Sequence, residues 1–423
     1  MKRAYALALC LAAVGAHAAT PPDLPPQDVV ARWLAQDPAV REAAAQRAAA
    51  DQVAAQRRLS PNEWTLETGV QQRRYDSDAR VREWNLGLER TVRLPGKRRL
   101  DAALGERGMD AAQARYDAAV RAALLDLCDL WLDWAMAEEL AALAARQADL
   151  ASANRAAVER RVTAGDAARL DLALADADRD DAERLRREAD AEAAIARARL
   201  AARFADLPAA PPSLSPPPSQ HAAAPQRIAQ WLAASADLRV AAAERDEAVA
   251  AVARESAERR PDPTIGVFNA AEGSGSERIV GLSLRVPLPG RYRAASLARA
   301  VAERDQREAA LSRVMQQSHA AAQALVIADD SAMQRWELAD AAVRRTEDSV
   351  RLTQRAYALG ETDLQTLLLA RRQAVDAART RASTQALALR AHYRWAIGAG
   401  SLWAEVARGD DARERGTAGA GDG

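Results

Sequence analysis

The chain contains two copies of one pattern, and this duplication restricts its fold more than any other feature. Residues 86–97 (LGLERTVRLPGK) recur as residues 280–291 (VGLSLRVPLPGR), with the Gly-Leu and Leu-Pro-Gly positions unchanged. A Trp-Leu pair at 33–34 recurs at 231–232. Each copy therefore predicts the same succession: a helix, two strands, a very long helix, a glycine turn and a returning helix.

This duplication divides the chain into five predicted parts. They are a signal peptide at 1–18; a first repeat at 19–206, with a β-hairpin at 64–93 and a helical hairpin at 97–206; a proline-rich linker at 207–226; a second repeat at 227–397, with a β-hairpin at 263–288 and a helical hairpin at 292–397; and a disordered tail at 398–423. The predicted class is mainly α with a small membrane β-barrel portion.

Each copy contains a helical pattern that is too long for a compact domain. Residues 97–162 and 292–359 contain no proline, and at ~1.5 Å per residue each helix would be roughly 100 Å long. Such rods must pack side by side, and Leu124, Leu127, Trp131 and Trp134 have the spacing of a coiled-coil seam. We expect the shorter helices at about 167–206 and 234–259 to stack end to end and match one rod.

The N-terminal residues predict export. Lys2 and Arg3 precede an apolar stretch, and Ala-His-Ala at 16–18 fits a cleavage site. A membrane anchor is the alternative, but the apolar stretch is too short to span a bilayer. Cys10 would leave with the signal, so Cys128 would remain as an inert, buried thiol without a disulfide partner.

The predicted strands alternate in the manner of a membrane barrel. In the second copy Leu282, Leu284 and Val286 alternate with polar or small residues. Arg90 interrupts the apolar face of the first copy, and a small soluble β-subdomain is the alternative. Four strands cannot close a membrane barrel, so strands that cross lipid require an oligomer. Aromatic residues that suit an interfacial belt are Trp64, Tyr75 and Trp84.

These elements together resemble the TolC-like outer-membrane efflux family over nearly all of the mature chain. The resemblance implies a homotrimer with four β-strands per chain in a 12-stranded barrel, and a trimeric α-barrel that crosses the periplasm. It implies docking on a periplasmic adaptor and an inner-membrane pump of the RND type, with substrate conducted passively. Residues 94–98 (LPGKR) are similar to the subgroup that works with heavy-metal cation pumps.

The resemblance also implies functional residues at the hairpin tips. Gly165 and Gly360 match the adaptor-docking tips, and Asp171 and Tyr357 match an aspartate and a tyrosine of the pore gate. The arginine position of that gate is occupied by Thr362. The alternatives are a helix first-turn acid for Asp171 and an interhelical packing residue for Tyr357.

Enzymatic chemistry is not indicated, and we expect no cofactor and no metal site. The histidines that follow the signal, His221, His319 and His392, are isolated, and no catalytic motif is present. Basic and acidic residues number 59 each, which disfavours a nucleic-acid partner. The alternative functions are a drug or type I secretion channel, a periplasmic adaptor, and a structural coiled-coil protein without a transport role.

Overall fold

The computed structural model describes residues 21–74, 76, 80–218, 222–288, 290–404 and 406. The predicted signal peptide, Tyr75, His221 and most of the predicted tail therefore lie outside the described residues. The helices are α1 Gln27–Gln36, α2 Pro38–Arg58, α3 Pro95–Ala164, α4 Arg169–Ala201, α5 Ala224–Ala234, α6 Ala236–Ala257, α7 Arg291–Ala358 and α8 Leu364–Gly398. The strands are β1 Trp64–Arg74, β2 Arg80–Thr91, β3 Thr264–Glu272 and β4 Glu277–Arg285.

Both predicted rods are continuous helices. α3 has 70 residues and α7 has 68, which at ~1.5 Å per residue gives about 100 Å for each. Pro95 begins α3, where its missing amide hydrogen costs nothing. The short helices α1 and α5 were not predicted. A single capping residue separates each from the next helix, Asp37 before α2 and Ser235 before α6, and its side chain accepts a hydrogen bond from that helix's first turn.

The shorter helices stack in a different order from the predicted one. The end of α4 meets the start of α2 through an Arg203–Asp37 ion pair of 2.7 Å, and the Gly398 end of α8 contacts Trp231 of α5, just before α6. The expected stacking of residues 167–206 on 234–259 is therefore wrong. The pair α4 and α2 and the pair α4 and α6 have nearly equal summed lengths, so helix length could not show which two helices stack.

The main core lies midway along the rods. Leu124, Leu127, Trp131 and Trp134, the predicted seam of α3, are all buried there. Trp131 also donates a hydrogen bond to the backbone oxygen of Asp23, which fixes the N-terminal segment against the core. Cys128 is fully buried in the same cluster, and this burial raises the pKa of its thiol. The prediction of an unreactive, structural cysteine agrees with this environment.

The two β-hairpins join into one antiparallel sheet within the described residues. The strand order is β1-β2-β3-β4, so the two repeats pair through β2 and β3. Leu88 lies opposite Val267, and Leu66 and Leu282 continue the same row outward. Among the residues that the structure describes, β1 and β4 each have one strand edge without a partner strand.

A buried cluster of charges joins the two repeats where the strands meet the helices. Arg93, which follows β2, lies 2.7 Å from Asp101, 2.7 Å from Glu258 and 2.9 Å from Asp262. Lys97, in the first turn of α3, lies 3.0 Å from Glu258 and 3.1 Å from Asp262, and its side chain is only 2% exposed. The motif at residues 94–98 thus supplies a structural clamp between the repeats.

The clamp shifts the proton affinity of its acids. Burial alone would raise the pKa of Glu258, but hydrogen bonds from Lys97 and Arg93 and the charge of Arg254 outweigh burial and hold that pKa below its usual value. Burial acts on Asp262 in the same way, and the Leu94 amide together with Arg93 and Lys97 lowers its pKa. Both acids are therefore charged in the native state near neutral pH.

Acidification should weaken this clamp. Because both pKa values are lowered, the contribution to stability is complete above the unfolded pKa values of about 4 and is lost as the pH falls through the lower native values. We expect the thermal midpoint, followed by far-ultraviolet circular dichroism, to fall between about pH 5 and about pH 3. The fall should be smaller in Glu258→Gln.

Glu361→Gln, at an exposed hairpin tip, is the matched control and should keep the wild-type pH dependence. Identical pH dependence in Glu258→Gln and the wild type would contradict this account of the clamp.

Candidate functional site

One face of the sheet is apolar. Residues in register on this face form rows across all four strands: Trp64, Leu66 and Val70 on β1; Trp84, Leu86 and Leu88 on β2; Ile265 and Val267 on β3; Val280, Leu282 and Leu284 on β4. All of them are exposed in the single chain. An apolar surface of this extent in a charge-rich protein requires an apolar partner.

Arginines mark both ends of the apolar face. Arg90 lies in the row nearest the helices, where its guanidinium stacks 5.5 Å from the Trp64 ring centre and donates to the Asn62 carbonyl. Arg82 and Arg278 lie on the same face at the opposite end. Arg90 therefore borders the apolar face rather than interrupting it, and Trp64 beside it has the position of an interfacial aromatic residue.

The opposite face of the sheet is polar and mostly acidic. Its charged residues are Glu67, Arg73, Glu83, Glu89, Glu272, Glu277 and Arg285. Arg285 pairs with Glu89 at 3.1 Å, and Arg73 pairs with Glu83 at 3.1 Å. Five acids against two arginines leave this face negative.

Both helical hairpins turn through the same local structure. Gly165 has φ of 83° and Gly360 has φ of 76°, the left-handed conformation that glycine adopts without strain. The next amide in each case reaches back into the preceding helix, from Asp166 to the Arg161 carbonyl at 2.8 Å and from Glu361 to the Ala356 carbonyl at 2.9 Å. These bonds satisfy the helix-end carbonyls in a Schellman-like arrangement.

The two returning helices begin differently. Asp363 caps α8 by accepting a 2.8 Å hydrogen bond from the Thr366 amide, and hydrogen bonds from Thr366 lower the pKa of the Asp363 carboxyl. Asp171, in the first turn of α4, reaches back to accept a 3.3 Å hydrogen bond from the Ala168 amide. In the single chain, Asp171 thus acts as a first-turn acid of its own helix. This is the alternative to a gate residue that the sequence left open.

Tyr357 links the second hairpin to the first. Its hydroxyl accepts a 2.7 Å hydrogen bond from Arg161, whose guanidinium also lies 5.4 Å from the ring centre. The ring packs on a small cluster of Val158, Ala175 and Leu364. Arg161 was not identified from the sequence, because it lies 196 residues from Tyr357 and the resemblance placed the gating arginine at the Thr362 position.

The described residues contain neither a candidate metal site nor a helical membrane span. Within the part of the chain that the structure describes, no three His, Cys, Asp or Glu residues lie together as a candidate metal site. No helix among the described residues combines the length and the apolar character that crossing a membrane requires.

Several solved structures share this architecture. The outer-membrane channel OprN is 20% identical, with a TM-score of 0.73 over 89% of this chain and 90% of that one. The outer membrane protein VceC from Vibrio cholerae is 17% identical, with a TM-score of 0.72 over 89% and 96%. The open state of the MtrE outer membrane channel from Neisseria gonorrhoeae is 18% identical, with a TM-score of 0.70 over 91% of each chain.

This likeness establishes the fold. No protein-family model matches the chain, and no curated protein does. The chain has the fold of the TolC-like outer-membrane channels, with long helical hairpins attached to a four-stranded antiparallel sheet. The predicted fold class is therefore confirmed for the single chain.

Proposed function

We propose that this chain is the outer-membrane channel of a tripartite efflux system. Three copies would close a 12-stranded barrel in the outer membrane and a helical tube in the periplasm. A periplasmic adaptor and an inner-membrane pump of the RND type would deliver substrate, which passes through without chemical change. The solved channels with this fold support the proposal.

The observation that carries the proposal is the sheet with its exposed apolar face and two open edges. Unpaired backbone groups in hydrocarbon cost several kcal/mol each, so a sheet in lipid must pair β1 of one copy with β4 of the next. An adaptor or a structural coiled-coil protein has no use for an exposed apolar face that reaches across four strands.

The proposal predicts opposite effects for arginine on the two faces of the sheet. Leu282→Arg places a charge on the lipid-facing side and should cost about 2–4 kcal/mol per chain near the bilayer centre. Thr65→Arg, on the polar face beside Glu89, should be tolerated. The measurement is the yield of heat-sensitive trimer extracted by detergent from outer membranes.

The wild-type protein should resist salt and alkaline washes and form ion-conducting pores in planar bilayers. Release of the wild-type chain by an alkaline wash as a water-soluble monomer would overturn the proposal. Equal trimer yields from the two arginine variants would contradict the assignment of the two faces.

We propose cations, and heavy-metal cations in particular, as the cargo. The polar face of the sheet would line the pore, and its five acids and two arginines give a net charge of −3 in each chain. Such a lining concentrates cations and repels anions. The resemblance at residues 94–98 supports metal cations as the cargo, although Lys97 itself forms ion pairs in the clamp. Sensitivity of a deletion strain to metals and to a drug panel separates metal efflux from drug efflux.

Cation preference can be measured on the purified channel. Glu67 and Glu277 lie on the pore face, and both are exposed. Glu67→Gln with Glu277→Gln removes two of the three net charges in each chain and should lower the cation-to-anion permeability ratio, measured from the reversal potential in a salt gradient. Glu337→Gln with Glu347→Gln, on exposed positions of α7, is the control. A ratio that the pore-face pair leaves unchanged would remove the support for a cation cargo.

We further propose that the hairpin tips dock the adaptor and close the pore. Gly165 and Gly360 would form the docking surface, and Asp171 and Tyr357 the gate, with Arg161 as the partner of Tyr357. The Arg161–Tyr357 hydrogen bond is exposed, so its net contribution is about 0.5–1.5 kcal/mol. Links of this strength are weak enough for the binding of an adaptor to break them.

Loss of these links should open the purified channel. We expect higher single-channel conductance for Tyr357→Phe, Arg161→Gln and Asp171→Asn in planar bilayers. Asparagine keeps an oxygen for the Ala168 amide, so Asp171→Asn tests gating without removing the acceptor. Tyr292→Phe, at the membrane end of α7, is the control. If Asp171→Asn is the one variant with wild-type conductance, Asp171 only caps its helix. Wild-type conductance in Tyr357→Phe would refute the gate.

A further inference from the structure

Arginines cluster wherever the chain passes between the helices and the sheet. They occur in pairs at all four crossings: 57 and 58 at the end of α2, 98 and 99 at the start of α3, 259 and 260 after α6, and 291 and 293 at the start of α7. We call these eight residues the arginine collar. The duplication explains why corresponding crossings carry similar sequences. The pair after α2 precedes β1, and the pair after α6 precedes β3.

The collar is strongly positive in a chain without net charge. The crossing segments 57–63, 92–106, 254–263 and 286–293 contain eleven basic and six acidic residues, a net charge of +5, whereas the whole chain has 59 of each. Three of the six acids, Asp101, Glu258 and Asp262, are already neutralised by Arg93, Lys97 and neighbouring arginines in the buried clamp. Of the other three acids, Glu106 lies 3.9 Å from Arg58 and Glu255 lies 3.8 Å from Arg254. Arginines therefore make up most of the unpaired charge of the collar.

Most collar arginines are free to bind a ligand. Arg98, Arg99, Arg259, Arg260 and Arg291 are exposed, and their side chains form no ion pair or hydrogen bond with any described residue. Each guanidinium offers a planar set of donors that matches a phosphate group. Five unpaired guanidinium groups within one band repel one another, so an anion that binds among them relieves this repulsion.

A cleft of about 1230 Å³ lies within the collar. It is formed by the start of α3, the end of α6 and the start of α7. Arg99, Arg259 and Arg260 line it together with Leu94 and Leu100. The cleft thus offers a cationic wall and an apolar wall to one ligand, a combination that suits an amphiphile with an anionic head.

The collar is also continuous with the apolar face of the sheet. Leu288 is 91% exposed between β4 and α7, and Tyr292 is 83% exposed in the first turn of α7 between Arg291 and Arg293. A tyrosine and arginines directly beside an apolar face have the arrangement of a membrane–water interface. In the proposed function, this interface is the leaflet of the outer membrane that faces the periplasm.

We propose that the arginine collar binds the phosphate groups of anionic phospholipids in that leaflet, with the cleft between α3, α6 and α7 as the principal site. This inference rests on the proposed function, because only a chain whose sheet lies in the membrane brings the collar to the lipid headgroups. The bound lipids would fix the depth of the barrel and form a seal where the barrel continues into the helical tube.

The test compares binding of phosphatidylglycerol and phosphatidylcholine by the purified, full-length protein in neutral detergent. The first measurement is whether the purified protein forms an oligomer in detergent. A failure of the proposed function is then distinguished from a failure of lipid binding. The collar variant combines Arg99→Gln, Arg259→Gln and Arg260→Gln. Since each arginine near a lipid surface contributes about 1 kcal/mol, the affinity for phosphatidylglycerol should fall on the order of a hundredfold. Binding of phosphatidylcholine should be weak in the wild type and unchanged in the variant.

Two further variants make the result specific. A control that combines Arg197→Gln, Arg345→Gln and Arg379→Gln removes the same charge from exposed helical positions and should bind phosphatidylglycerol like the wild type. A variant that combines Arg99→Lys, Arg259→Lys and Arg260→Lys keeps the charge and should retain most of the affinity. If the glutamine variant does not assemble, weakening of wild-type phosphatidylglycerol binding by salt, without an effect on phosphatidylcholine, provides the equivalent test.

Three outcomes of the lipid-binding measurements would each overturn the proposal. They are undiminished phosphatidylglycerol binding in an assembled collar variant, equal wild-type affinity for the two lipids, and binding in the wild type that salt does not weaken. Displacement of phosphatidylglycerol by an equal concentration of inorganic phosphate would also overturn it, because the collar would then be a site for free anions rather than for lipid.

Discussion

The unpaired backbone at the edges of β1 and β4 is the constraint on which the rest of the structure depends. An edge in water is tolerable, but an edge in hydrocarbon loses several kcal/mol for each unpaired group, and a few such groups exceed the whole stability of an ordinary domain. A chain that places this sheet in lipid therefore has to recruit copies of itself. The helices follow the strands almost without a break, so in the proposed trimer the symmetry that closes the sheet would also arrange α3 and α7 around the same axis.

The distribution of charge follows from the same constraint. A face that meets lipid excludes charge, and the arginines on that face lie at its two ends. Immediately below the sheet the chain uses a buried ion cluster, Arg93 and Lys97 against Asp101, Glu258 and Asp262. Burying such pairs gains little net stability over apolar packing, but Arg93 and Lys97 of the first repeat both bind Glu258 and Asp262 of the second. The cluster therefore fixes the relative position of the two repeats, which an alanine-rich interface alone would leave poorly defined.

The sequence revealed elements with a regular period and missed contacts between distant residues. The strands and the rods could be predicted because their apolar residues recur every two or 3.6 positions. The duplication could be predicted because matching segments recur along the chain. The clamp could not, because Lys97 and Glu258 are 161 residues apart, although a lone lysine among arginines was a signal. The stacking of the short helices was wrong because lengths alone do not identify neighbours. At the tips, the glycines were recognisable, whereas the Arg161–Tyr357 contact depends on how two hairpins lie side by side.

Packing is strongest midway along the rods and weaker between that core and the tips, and in the proposed channel this difference bears on where the pore can open. The central core contains several tryptophans and leucines, and the next cluster consists of three alanines. The cluster nearest the tips has Val158, Ala175 and Leu364 at its centre, with four partly buried hydrophobic residues packed around them. Small side chains bury little area, so they contribute little to holding the helices together. In the proposed channel, the hairpins can therefore move relative to each other beyond the central core at low cost, while the core and the clamp hold the two repeats of each chain together. A channel that must seal the membrane permanently but open its inner end on contact with a partner needs this separation of strong and weak packing along one helix.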